Sequence, residues 1–154
     1  MERRVTAFAQ DDDGDWLVSL DCGHRRHVRH DPPWQERAWV LEADEREARI
    51  GSAFDCKGCD RAQLPRAVEP YKRTPEFDAD SVPAGLTRDH RTAAGVWARI
   101  VVLEGSLGYV PDAASDVRHT LTPETPGIVV PELTHHVVPD GPVRFFVEFL
   151  RVPR

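Results

Sequence analysis

The chain holds 154 residues, with 20 Lys+Arg against 26 Asp+Glu for a formal net charge of -6, and 40% of its residues are hydrophobic. This is a globular composition, and its acidic balance removes the electrostatic basis for tight, sequence-independent binding to nucleic acid or anionic lipid. No apolar run reaches the roughly 18–20 residues that span a bilayer, and Met1-Glu2-Arg3-Arg4 leads toward Asp11-Asp12-Asp13 rather than a signal-peptide core, so the expectation is a cytoplasmic protein with no membrane partner.

The 13 prolines leave few windows for long helices, which predicts a mainly β chain. Asp15 to Leu20 alternates as a strand with Trp16, Val18 and Leu20 on one face. Gly23 turns the chain, and His27 to His30 returns as a second short strand. Trp39-Val40-Leu41 is a short apolar element, and Glu42 to Ile50 is the one convincing helix, with Leu41, Ala48 and Ile50 available for packing and Gly51 as its stop. Asp55-Cys56-Lys57-Gly58-Cys59-Asp60 follows directly. Residues 61–77 carry three prolines and no periodicity, which places a module boundary near residue 64 and divides the chain into modules 1–64 and 65–154. The second module reads as strands at 96–103, 106–110, 117–121, 127–131, 135–138 and 143–150, separated by Gly, Pro or Asp turns. That spacing without intervening helices argues for an antiparallel sandwich or barrel.

Cys22, Cys56 and Cys59 all fall in the first 60 residues with His24, His27 and His30, while the second half has no cysteine. Three cysteines make no all-disulfide framework, and in a reducing compartment they are better read as ligands or core residues. The Cys56/Cys59 turn and Cys22-Gly23-His24 together supply three thiolates and one imidazole, a ligand set that closes a structural Zn2+ site: Cys22, His24, Cys56, Cys59. A module of about 60 residues needs such a staple, because it buries little apolar surface. A redox dithiol at Cys56/Cys59 and plain buried cysteines are the competing readings, and His27 rivals His24 as the fourth ligand.

Two stretches carry family resemblances. Asp21-Cys22-Gly23-His24-Arg25-Arg26-His27-Val28-Arg29-His30, then Pro32-Pro33-Trp34 and the Cys56/Cys59 pair, resemble a small bacterial family of unknown function over residues 1–62. Ser81 to Leu86, Arg88-Asp89-His90-Arg91-Thr92, Gly95 to Leu107, Pro131 to His136 and Val143 to Phe149 resemble the TehB/YeaR-like domain over residues 67–152. The resemblance implies a C-terminal cupin, an antiparallel β-barrel or jelly roll, behind a zinc-ribbon-like β-hairpin module. It further implies inward-facing barrel positions for His90 and His135, and Glu148 on the last strand, an acid that needs a partner such as Arg99 if buried, completes the expected pocket set His90, Arg99, His135 and Glu148. Cupins hold a divalent metal through histidines and a carboxylate, so His90, His135 and Glu148 stand as a ligand set. This sequence departs from the pattern, with Arg91 and Thr92 where further ligands are expected. A metal-free polar network, with Arg99 or a histidine as partner of Glu148, and a small-anion pocket are the alternatives.

The glycine-rich loop and doubly wound pattern of a methyltransferase do not appear in this sequence. The reading is therefore a non-catalytic, stress-associated cupin of the tellurite-resistance kind that binds a small molecule, oxyanion or metal. A metal-dependent cupin enzyme and a zinc module that docks protein or RNA are its rivals. Cupin edge strands suit pairing into a homodimer.

Overall fold

The computed structural model describes residues 1–153. The chain divides into two compact units, Met1–Arg61 and a second beginning at Ala62, and both are built mainly from antiparallel strands.

In the first unit, β1 (Glu2–Gln10), β2 (Trp16–Leu20), β3 (Arg25–His27) and β4 (Ala53–Asp55) form one sheet in the order β3-β2-β1-β4. The expected hairpin is thus the outer half of a larger sheet. The acidic turn between β1 and β2 is held by Asp11, whose Oδ1 accepts the Asp13 and Asp15 amides at 3.0 and 2.9 Å. Val5, Val18, Leu20, Val28 and Val40 are buried, and Trp39-Val40-Leu41 lies in a 3₁₀ turn, Ala38–Leu41.

The predicted helix is α1 (Ala43–Ala48), and its packing differs from the expectation: no α1 residue is buried, while Leu41 and Ile50 are exposed. Cations dock it instead. The Arg46 guanidinium lies 3.6 Å from the Trp16 ring centroid and Arg49 lies 4.1 Å from that of Trp39, contacts in which a weakly hydrated guanidinium meets an aromatic face. Beyond β4, α2 (Lys57–Asp60) is a single turn that carries Cys59.

The second unit comprises β5 (Glu69–Arg73), β6 (Phe77–Asp78), α3 (Ala84–Thr87), β7 (Val96–Gly105), β8 (Leu107–Val110), β9 (His119–Leu121), β10 (Gly127–Val129), β11 (His136–Val138) and β12 (Val143–Arg151). One sheet runs β10-β7-β12-β5 with β6 also on β12, and the other runs β11-β8-β9. The core takes side chains from both: Ile100, Val102, Phe145 and Val147 from the first, and Leu107, Tyr109, Leu121 and Val137 from the second. Strand β5 lies in the stretch read from sequence as structureless. All five of its residues are exposed, and it forms because its backbone pairs with β12 from Glu148↔Arg73 to Arg151↔Glu69. Its Pro70 is tolerated at a sheet edge, where a missing N–H costs no ladder bond. Among the described residues no helix is long and apolar enough to cross a membrane.

Candidate metal centre and ligand cavity

The β2–β3 turn and the β4–α2 junction bring Cys22, His24, Cys56 and Cys59 together, with one ligand atom from each lying within 4.8 Å of the others. All three cysteines are thiols and buried. His24 Nδ1 lies 3.4 Å from Cys22 Sγ, 3.4 Å from Cys56 Sγ and 3.8 Å from Cys59 Sγ, and Cys22 and Cys56 sulfurs are 3.8 Å apart. A tetrahedral ion with thiolate bonds near 2.3 Å and an imidazole bond near 2.0–2.1 Å requires ligand edges of about 3.8 Å between sulfurs and about 3.5 Å between sulfur and nitrogen. The four distances given lie within about 0.3 Å of those edges, so the set fits a metal.

His24, not His27, completes the cluster. His27 lies on β3 and turns to Asp11, Nε2 to Oδ2 2.8 Å, forming with Asp15 a separate group in which both carboxylates are half-buried and the ring is exposed. Gly58 explains how the imidazole reaches the sulfurs: a Cβ there would meet His24 Nε2 at 2.5 Å. The CxGC spacing therefore leaves room for a ring that any larger residue would displace.

Arg3 is a site residue that sequence reasoning missed. It is buried, and its Nε donates to Cys59 Sγ at 3.3 Å. The Cys59 thiol is held low, at about 5, by the hydrogen bond from Cys22 and, against burial, by Arg3. Cys22 is pushed up because it shares that proton with Cys59 and is buried, and Cys56 is pushed up chiefly by burial. With a divalent ion bound, three thiolates and a neutral imidazole would carry one net negative charge, which the buried Arg3 guanidinium would neutralise. An isolated buried charge would otherwise be costly. The outward signal was slight: a cation at the one charged position of β1 that is buried.

In the second unit a cavity of about 350 Å³ opens between the sheets. Ala98, Ile100, Val129, Val137, Val147 and Phe149 give it apolar walls, and His90, His135, Arg91 and Thr92 give it polar groups. His90 and His135, 45 positions apart, are joined by reciprocal backbone bonds of 3.0 and 2.9 Å, and their rings lie 4.2 Å apart between centroids. His90 Nδ1 meets the Arg88 carbonyl at 2.8 Å and His135 Nδ1 meets the Leu133 carbonyl at 2.9 Å. Burial lowers the His135 pKa to about 4, so this ring is neutral at physiological pH.

The other two expected pocket residues are elsewhere. Arg99 and Glu148 are direct partners in the β7–β12 register and form an ion pair of 3.1 Å. Because neighbouring Ala98, Ile100, Val147 and Phe149 line the cavity, strand alternation puts Arg99 and Glu148 on the opposite face of the sheet. The set His90, His135, Glu148 is therefore not assembled. Among the described residues no Asp or Glu lines the cavity, and the two histidines gain no third His, Cys, Asp or Glu within metal-binding reach. The expected arginine partner of Glu148 is present, but outside the cavity. His136 turns to Asp89, Nδ1 to Oδ1 2.8 Å, and His119 is exposed on β9.

Comparison with known proteins finds a different family match for each unit. Residues 6–63 match the family described as a protein of unknown function, DUF3565, and residues 72–147 match the TehB-like domain. Among solved structures, TehB from Haemophilus influenzae is 24% identical over 56% of this chain and 32% of that chain, with a TM-score of 0.53. A protein from E. coli is 23% identical over 60% of this chain and 98% of that chain, with a TM-score of 0.54. This chain thus spans only 32% of the length of TehB, and these likenesses show a shared fold. No curated protein matches the chain.

Proposed function

From a chain in which a DUF3565 module precedes a TehB-like domain, we propose a non-catalytic, cytoplasmic binding protein of the tellurite-resistance kind. Its first unit is closed by a structural zinc ion, and its second is a cupin-type barrel that takes a small molecule. Cys22, His24, Cys56 and Cys59 hold the zinc, with Arg3 balancing its charge. The zinc supplies cross-linking and no chemistry, since four protein ligands leave a tetrahedral ion no open position for substrate.

The single observation that carries the binding reading is the cavity with paired imidazoles and no carboxylate. A redox-active iron commonly needs two histidines and a carboxylate on one face, and the one acid expected there, Glu148, is turned away and paired. Apolar walls with a few convergent polar groups are the usual make-up of a small-molecule site.

The test is nuclear magnetic resonance titration of the full chain with tellurite, benzoate and phenol, coupled to oxygen uptake in the presence of ferrous iron. Saturable shifts confined to cavity residues, with no oxygen consumed, are expected. Silence of the His90 and His135 resonances toward all three probes, or iron-dependent turnover abolished by His135→Ala, would overturn the reading.

A further inference from the structure

The two imidazoles of the cavity offer a ligand lone pairs and not protons. Each Nδ1 faces a backbone carbonyl, at 2.8 Å for His90 and 2.9 Å for His135, and a carbonyl only accepts, so each Nδ1 carries the ring proton. The neutral ring then presents Nε2 as an acceptor, and neither Nε2 has a hydrogen-bond partner among the described residues. The His90 ring, 4.2 Å from that of His135 between centroids, adds to the burial that disfavours a charge on His135. Thr92 adds to the same pattern: its hydroxyl proton is spent on the Val96 carbonyl at 2.6 Å, leaving only lone pairs. The donors among the lining side chains, Arg91 and Tyr71, are both exposed.

Resting on the ligand-binding reading above, we infer that the cavity selects a compact apolar molecule bearing one hydrogen-bond donor, a hydroxyl or N–H group. The donor sits on the His90/His135 pair and the apolar body packs on Ile100, Val147 and Phe149. The same skeleton as an anion is rejected: its oxygen would face two imidazole lone pairs among apolar walls, a desolvated charge without a donor. This sets the site apart from an oxyanion cradle, in which N–H groups would point inward.

The experiment is calorimetric titration of the full chain near neutral pH with phenol, toluene and benzoate, which share a ring and differ in donor and charge. Phenol is expected to bind at one site per chain, roughly ten-fold or more tighter than toluene, the gain of one buried hydrogen bond, and tighter than benzoate. In His135→Phe the phenol-to-toluene preference is expected to collapse. Should that variant fail to fold, the imidazole ¹⁵N resonances of the unaltered protein give the same answer: phenol moves Nε2 of His90 or His135, and toluene does not. Benzoate binding more tightly than phenol, or phenol binding no better than toluene, would overturn the inference while leaving a binding cavity. Failure of all three probes to bind would remove the binding reading with it.

Discussion

Replacing Gly58 by alanine pits two effects of opposite sign against each other. In a helical turn, alanine is preferred over glycine by about 1 kcal/mol, so propensity alone predicts a more stable protein. The added methyl, however, would sit 2.5 Å from His24 Nε2 and 2.7 Å from two ring carbons, about 0.9 Å inside ordinary van der Waals contact at 3.4 Å. The ring cannot yield by that amount and keep its place, because metal–ligand distances tolerate only about 0.2 Å. His24 must leave the cluster. Loss of a supporting group around a metal commonly costs 10- to 100-fold in affinity, so loss of a direct ligand is expected to cost at least about 100-fold. Because metal affinity is part of the folding free energy of such a unit, Gly58→Ala should lower stability despite the gain in propensity. Competition with a chromophoric chelator measures the affinity, and calorimetric unfolding of the full chain measures the stability. Gly85→Ala is the control, a helical glycine with nothing within 4 Å of an added Cβ, expected to be neutral or stabilising. If Gly58→Ala kept its zinc affinity and gained stability as Gly85→Ala does, the placement of His24 as a ligand would be refuted.

Chelation of the full chain should abolish the unfolding transition of the first unit and leave that of the second in place, read by calorimetry with and without a strong chelator. Gly105 has φ +78° and an added Cβ would lie 2.1 Å from the Pro142 carbonyl oxygen, so Gly105→Ala should destabilise the second unit by about 1–3 kcal/mol or more in urea unfolding. The second unit should also lose stability with acid. His135 has a folded pKa lowered to about 4 against about 6.5 unfolded, so below about pH 6.5 the unfolded chain binds the extra proton, and up to about 3 kcal/mol is lost by pH 4. Urea unfolding across that range checks the slope, and His135→Gln should remove most of it. Arg99→Met, on the face away from the cavity, should leave ligand titrations unchanged and cost at most about 1 kcal/mol, as half-exposed ion pairs do.

The metal cluster was legible because its logic is local: two cysteines on one turn and a Cys-x-His on another specify ligand type and spacing. The choice between His24 and His27 was not legible, since it depends on β3 starting at Arg25 and carrying His27 out toward Asp11. Alternation sorts β12 into the rows Arg144, Phe146, Glu148, Leu150 and Phe145, Val147, Phe149, yet both hold phenylalanines, so alternation alone does not say which row faces the cavity, and the expectation of Glu148 there rests on its carboxylate. The unbroken apolar row takes it, with Val147 and Phe149 lining the cavity and Phe145 in the core, while in the other row Arg144 and Glu148 are half-buried with charged partners and Phe146 and Leu150 are buried. Strand β5 was invisible for another reason. None of its residues is buried, so it leaves no hydrophobic period, and only the pairing needs of β12 create it.

A four-ligand zinc ion at Cys22, His24, Cys56 and Cys59 would tie the β2–β3 turn to the β4–α2 junction of the first unit. X-ray absorption at the zinc edge on the purified full chain tests that most directly. The expected spectrum is one zinc per chain with three sulfurs near 2.3 Å and one nitrogen near 2.0–2.1 Å. A chain purified with zinc available that binds none, or binds it through nitrogen and oxygen alone, would contradict it.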